Sequence, residues 1–216
     1  MIRLFHVTKN YGPRTALWDL TLEVEKGELV FITGPSGAGK STLIRLIIRE
    51  EEATQGQIIV DKFNLKRLPH NRIPAYRRSI GVVFQDFKLI PSRTVFQNVA
   101  LRLEIEGAGP ALIGKKVRYI LKRVGLEGKE NLFPLQLSGG EQQRAAIARA
   151  IVGDPQIVLA DEPTGNLDLD LTLDIMKLFE EINQAGATLL LATHSREILR
   201  NARHRIVRLE KGRLIS

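Results

Sequence analysis

The 216-residue chain contains no cysteine, two methionines and one tryptophan. Without cysteine there is no disulfide, no thiolate metal site and no thiol nucleophile. That is the usage expected of a cytosolic protein. Long hydrophobic runs are also missing. Ile157-Val158-Leu159-Ala160 is typical of the longest, far short of the roughly 18 residues a membrane-spanning helix needs. The opening Met1-Ile2-Arg3-Leu4-Phe5-His6 lacks the apolar stretch of a secretory leader. A role at a membrane would therefore require another protein, or a charged face, to hold the chain there.

Acidic residues are absent from two long stretches. Residues 62–85 carry Lys62, Lys66, Arg67, Arg72, Arg77 and Arg78 with no acid, and residues 107–126 carry Lys115, Lys116, Arg118, Lys122 and Arg123 with none. The eleven cations of these stretches exceed the formal charge of +8, so the rest of the chain is net acidic. Such runs fit a solvated basic face, or a face turned toward anionic lipid. The sequence has no helix-turn-helix pattern, no zinc-ligand set and no aromatic-rich basic strand, so no specific nucleic-acid partner is expected.

With 44% hydrophobic and 26% charged residues, the composition is that of a globular domain. Strand patterns cover Ile2 to Val7, Ala16 to Val24, Glu28 to Thr33, Gln57 to Val60, Ile80 to Phe84, Ile157 to Ala160 and Ala187 to Thr193. Helical patterns cover Thr42 to Ile48, Val95 to Leu103, Ile113 to Val124, Glu141 to Val152 and Asp168 to Ala185. Gly186 supplies a stop for the last of these. Strands alternating with helices predict an α/β fold with a mostly parallel sheet. The helical stretch from about 90 to 153 reads as a lobe inserted in a single domain spanning 1–216.

Gly34-Pro35-Ser36-Gly37-Ala38-Gly39-Lys40-Ser41 follows a strand pattern and precedes a helix pattern. This is the context a phosphate-binding G-x-x-x-x-G-K-[ST] loop requires. Glycines let backbone N–H groups converge on an anion, and the helix N-terminus adds free donors. Lys40 supplies a point charge for the β- and γ-phosphates, and the Ser41 hydroxyl a ligand for Mg²⁺.

Asp161 and Glu162 end an apolar strand, at the sheet edge where ligands bind. Asp161 is placed to hold Mg²⁺ through water. Adjacent residues on a strand point to opposite sides, so Glu162 faces away from Asp161, toward an attacking water, as general base or water-polarising group.

Leu137-Ser138-Gly139-Gly140-Glu141 opens another helix pattern. Ser138 with Glu141 three residues on is a capping box, which alone explains a well-started helix. Two glycines in a first turn are costly, and they suit a backbone that something approaches closely. Two anion sites with one lysine suggest that the second serves a nucleotide on another copy, in a head-to-tail pair about a twofold axis.

Together these motifs resemble the ATP-binding subunits of ABC transporters along essentially the whole chain. The glycine loop is similar to their Walker A motif, IVLADE to Walker B, and LSGGEQQR to the family signature. The resemblance implies a P-loop NTPase core with an N-terminal antiparallel β subdomain and an inserted helical subdomain. It implies an ATP site of Tyr11 with Gly34, Pro35, Ser36, Gly37, Ala38, Gly39, Lys40, Ser41 and Thr42. Mg²⁺ would be held by Ser41, Gln85 and Asp161, and Glu162 and His194 would be catalytic. Ser138, Gly139, Gly140 and Glu141 would contact ATP on the second copy, with Asn166 and Asp168 at the seam of an ATP-dependent homodimer. Ser195 departs from the Asp that many relatives carry after the histidine.

Within the family, residues 77–90 and 93–100 look most like the bacterial cell-division ATPases. Lipoprotein-release and macrolide-export subunits are near alternatives. A soluble ABC ATPase acting on nucleic acid or ribosomes, or a regulatory module without turnover, are alternatives of another class. The cell-division resemblance implies an FtsX-like integral membrane partner and a peripheral place on the cytoplasmic face of the inner membrane. Phe87 to Pro91 would form the docking segment.

Overall fold

Runs in which every residue is apolar become strands buried on both faces. In the computed structural model, which describes residues 1–165, 167–201 and 203–215, the elements follow in this order. First come β1 (Ile2–Tyr11), β2 (Arg14–Val24), β3 (Leu29–Thr33), α1 (Lys40–Ile47), β4 (Gln55–Val60), β5 (Phe63–Asn64), α2 (Ile73–Arg78) and β6 (Ile80–Val83). The helices α3 (Val95–Ile105), α4 (Pro110–Arg123) and α5 (Gly139–Ile151) follow. The chain then forms β7 (Ile157–Asp161), α6 (Leu169–Gln184), β8 (Thr188–Ala192), α7 (Arg196–Asn201), β9 (Arg205–Glu210) and β10 (Arg213–Ile215).

Two sheets result. The first, in the order β2-β1-β4-β5, is antiparallel throughout. The second runs β10-β9-β3-β8-β7-β6 and is parallel except for the terminal β9–β10 pair. The fold is thus α/β, with an antiparallel N-terminal sheet beside a mostly parallel central one.

Alternation along the central strands divides the interior into two cores. Val158, Ala160, Leu189, Leu191 and Phe31 face one core with the apolar sides of α3, α4, α5 and α6. Ile157, Leu159, Leu190, Val30 and Ile32 face the other with α1 and the antiparallel sheet. Because every residue of these strands meets protein on its own side, the sequence shows a continuous apolar run there. The parallel strands also bring the ends of β3, β6, β7 and β8 to one edge, where the candidate site lies.

Several local features differ from the sequence expectation. Gly39 caps α1 in the left-handed conformation, φ 110°, so the helix begins at Lys40 and not Thr42. Lys40 and Ser41 thereby sit in its first turn. The strand ends at Val83, before Phe84. The short helix α2 and the C-terminal hairpin β9–β10 were not expected. The hairpin turns at Lys211 and Gly212, with φ 47° and 78°, a two-residue turn of the kind that glycine favours.

Candidate active site

The loop between β3 and α1 is forced into shape by its glycines. Gly34, Gly37 and Gly39 all have positive φ, at 152°, 76° and 110°. A Cβ on Gly34 would lie 2.0 Å from the Leu209 carbonyl oxygen, so no other residue fits beside β9. The C-terminal hairpin closes around this loop, where Gly212 N–H donates to the Ala38 carbonyl at 3.0 Å and the Gly212 carbonyl accepts from Trp18 N–H at 2.8 Å. Sequence reasoning missed this support. The Lys-Gly turn between alternating residues was its only local signal.

Residues 35–42 of this loop and helix line an open cleft of about 450 Å³ together with Tyr11, Arg14, Ala16, Arg45, Gln85, Glu162 and His194. Tyr11, Gln85, Lys40, Ser41, Thr42, Glu162 and His194 are therefore brought together as expected. Arg14 and Arg45 are additional cations that the sequence reading did not single out. Tyr11 stands at the end of β1, and the Lys9 ammonium lies 4.7 Å from its ring centroid. Glu51 anchors that ammonium at 2.8 Å.

Lys40 is buried, and its ammonium donates to the Gly34 and Pro35 carbonyls at 2.8 and 3.3 Å. It also pairs with Glu162 Oε1 at 3.3 Å. The other oxygen, Oε2, lies 2.8 Å from His194 Nδ1 and accepts from the His194 backbone N–H at 3.2 Å. Glu162 does not continue the alternation of β7. The strand ends at Asp161, and Glu162 turns into the left-handed region, φ 48°, with its N–H donating to the Ala192 carbonyl at 2.9 Å. That turn, and not the pleat, aims its carboxylate between Lys40 and His194.

Asp161 is half-buried beside the cleft, and burial pushes its carboxyl above the usual range. A hydrogen bond from Ser41 opposes that shift. Its Oδ1 is buried with no hydrogen-bond partner. A buried carboxylate oxygen without a donor, beside a serine hydroxyl, fits a hard divalent cation that prefers oxygen ligands. Gln85 comes close to the turn after Glu162, since a Cβ on Gly165 would lie 3.8 Å from Gln85 Nε2.

The second set of residues stays outside this cleft. Ser138 caps α5, accepting from Glu141 N–H at 3.3 Å, while Glu141 Oε2 accepts from Ser138 N–H at 2.9 Å. Lys129 hydrogen-bonds Glu141 and is the first cause holding its carboxyl below the usual range. The two glycines of this turn have different reasons. A Cβ on Gly140 would meet Leu171 Cδ1 at 2.9 Å, so Gly140 serves internal packing. Gly139 faces open space, with nothing within 4 Å of a Cβ. Asp168 caps α6 through Leu171 N–H at 2.9 Å, so the Asp168 segment and α5 meet through Leu171. Asn166 lies outside the described residues.

The model of the family described as ABC transporter matches residues 17–165. The cell division ATP-binding protein FtsE of Mycobacterium tuberculosis is 50% identical over all of this chain and 94% of its own length. FtsE of Bacillus subtilis is 49% identical over all of this chain and 95% of its own. FtsE of Escherichia coli K12 is 47% identical over 99% and 97%. Among solved structures, the dimeric bacterial ABC transporter cassette MJ0796 superposes with a TM-score of 0.93 at 38% identity, covering all of this chain and 97% of that one. The same cassette in a dimeric post-hydrolysis state bound to ADP and Pi gives 0.92 at 37% identity, with the same coverage. The chain belongs to the ABC transporter family, as one of its ATP-binding cassettes.

Proposed function

We propose that this chain is the ATP-hydrolysing subunit of a bacterial cell-division complex, working as a pair of copies beneath an FtsX-like membrane protein. One observation carries the hydrolytic reading: the Glu162 carboxylate is held between Lys40 and His194 at the phosphate loop. Full-length similarity to FtsE proteins supports the cellular setting. In that setting the pair drives a conformational change that controls peptidoglycan hydrolases.

The chain's own residues divide the work. Tyr11 stacks on the base of ATP, while residues 34–42 wrap the phosphates with backbone N–H groups. Lys40 exchanges its carbonyl and Glu162 partners for the β- and γ-phosphates. Glu162, once released from Lys40, accepts a proton from the attacking water. His194 steadies Glu162 and contacts the γ-phosphate. Asp161, Ser41 and Gln85 would hold Mg²⁺, which supplies charge neutralisation across the phosphates when bound. Ser138, Gly139, Gly140 and Glu141 close the γ-phosphate of the second copy, and Asn166 and Asp168 form the seam between copies.

No helix among the described residues is long and apolar enough to cross a membrane. Attachment therefore falls to the partner, docked on residues 87–91 of a single cassette whose helical lobe spans about 90–153. Lys62, Lys66, Arg67 and Arg72 are exposed, as are Lys115, Arg118 and Lys122. These cations suit contact with anionic headgroups on the cytoplasmic face.

The test is purification from membranes followed by phosphate-release measurement. An FtsX-like integral membrane protein should come with the chain, and the complex should hydrolyse ATP. Recovery with a nucleic-acid complex, or with no membrane protein, would overturn the cellular reading. A pure complex without phosphate release would overturn the enzymatic one.

A further inference from the structure

Phe87 and Lys88, directly after the Gln85 segment, are consecutive non-glycine residues in the left-handed region, with φ 57° and 47°. Side-chained residues resist that conformation, and two in a row persist only where the surroundings hold them. One side chain holds both carbonyls here. Arg149 Nη2 donates to the Phe87 carbonyl at 2.7 Å and Nη1 to the Lys88 carbonyl at 2.5 Å. A fork of two parallel donors on two successive carbonyls fixes direction as well as distance, which a lysine cannot do. Burial lowers the guanidinium pKa, and the charge of Asp86 opposes that shift. Lys88 then folds back over the Phe84 ring, 4.2 Å from its centroid.

Arg149 stands near the end of α5, the helix whose N-cap is Ser138. Arg149 is eleven positions beyond Ser138, about 16 Å along a helix. The cap end is exposed and lies outside the chain's own cleft, whereas the Arg149 end grips the segment two residues beyond Gln85, which lines that cleft. One rigid rod therefore has an exposed cap at one end and the Arg149 fork at the other.

We propose that Arg149 is a positioning residue for hydrolysis. Through α5 it ties the placement of residues 86–88, and with them Gln85, to engagement of the Ser138 cap by the second copy. This rests on the two-copy reading of the site. A neighbour docking at the cap shifts α5, and the guanidinium fork passes that shift to the strained turn beside the chain's own nucleotide. Arg149 touches neither substrate nor reacting atoms in this scheme.

The test uses the full chain with ATP, with Arg149→Met and the milder Arg149→Lys. Arg149→Met should lower kcat by about tenfold or more, as expected when a catalytic group loses its placement. KM should stay within about twofold, since uniform binding is untouched. Arg149→Lys, which keeps the charge but loses the fork, should fall between. Hydrogen exchange gives the readout that a merely structural residue would not move. In Glu162→Gln, ATP-driven pairing should slow exchange at residues 86–91. In Glu162→Gln with Arg149→Met or Arg149→Lys, pairing should persist while that protection is weakened or lost. Protection that survives in both double variants, or a kcat for Arg149→Met within twofold of the parent, overturns the assignment. Absence of pairing in Glu162→Gln alone overturns the two-copy reading and this inference with it.

Discussion

Glu162→Gln should bind ATP, hold a second copy and turn over about a hundred to a thousand times more slowly than the parent. The substitution is nearly isosteric, so the left-handed turn at Glu162 and its N–H bond to Ala192 need not change. An amide oxygen can still accept from the His194 N–H, the contact now made at 3.2 Å. What disappears is the proton acceptor and the negative charge facing Lys40 at 3.3 Å. Loss of that charge frees Lys40 for phosphate, so affinity for ATP should hold or improve as turnover falls. Phosphate-release kinetics beside equilibrium ATP binding separate the two effects. Turnover near the parent's would remove Glu162 from catalysis. Lost binding would show that the ion pair with Lys40 supports the loop itself.

Gly139→Asp should separate stability from function more sharply. Gly139 is the first residue of α5, with open space where a Cβ would stand. An aspartate there is a better helix residue than glycine, and its charge complements the positive end of the helix by about 0.3–1 kcal/mol. Judged as an isolated chain, the variant should melt no earlier than the parent, and up to about 2–4 °C later. As half of a shared chamber, it places a carboxylate where the neighbour's γ-phosphate must dock. Turnover should then fall by about a hundredfold or more through like-charge repulsion in a closed site. Melting and phosphate release on the same sample decide the matter. Retained turnover with a raised melting point would mean that nothing docks at Gly139.

The contrast between the two glycines also shows what a sequence can disclose. Walker-type chemistry is local. The turn, the lysine, the serine and the helix start are consecutive residues, so Gly34 to Ser41 could be read directly. The capping box at Ser138 and Glu141 was legible for the same reason. Where the deciding partner is remote, the pattern is silent. Gly140 owes its small size to Leu171, thirty-one positions away. Gly34 owes its own to a carbonyl on β9, and β9 itself buries only Leu209 fully while Arg205, Ile206 and Arg208 stay exposed. A strand so weakly apolar gains its place from pairing with β3, which no local window reveals. Glu162 does face the phosphate loop, but for a reason other than strand alternation, since the strand ends at Asp161. The backbone turns there to φ 48° with its N–H bonded to the Ala192 carbonyl of β8, a remote partner outside any local window.

All of these results turn on whether the reaction chamber is built from one chain or from two. ATP hydrolysis per chain, followed across serial dilution with the mass of the species recorded in parallel, addresses that most directly. A shared chamber requires the rate per chain to fall in step with the fraction of chains that are paired. A rate per chain that stays constant in samples containing only single copies would contradict it.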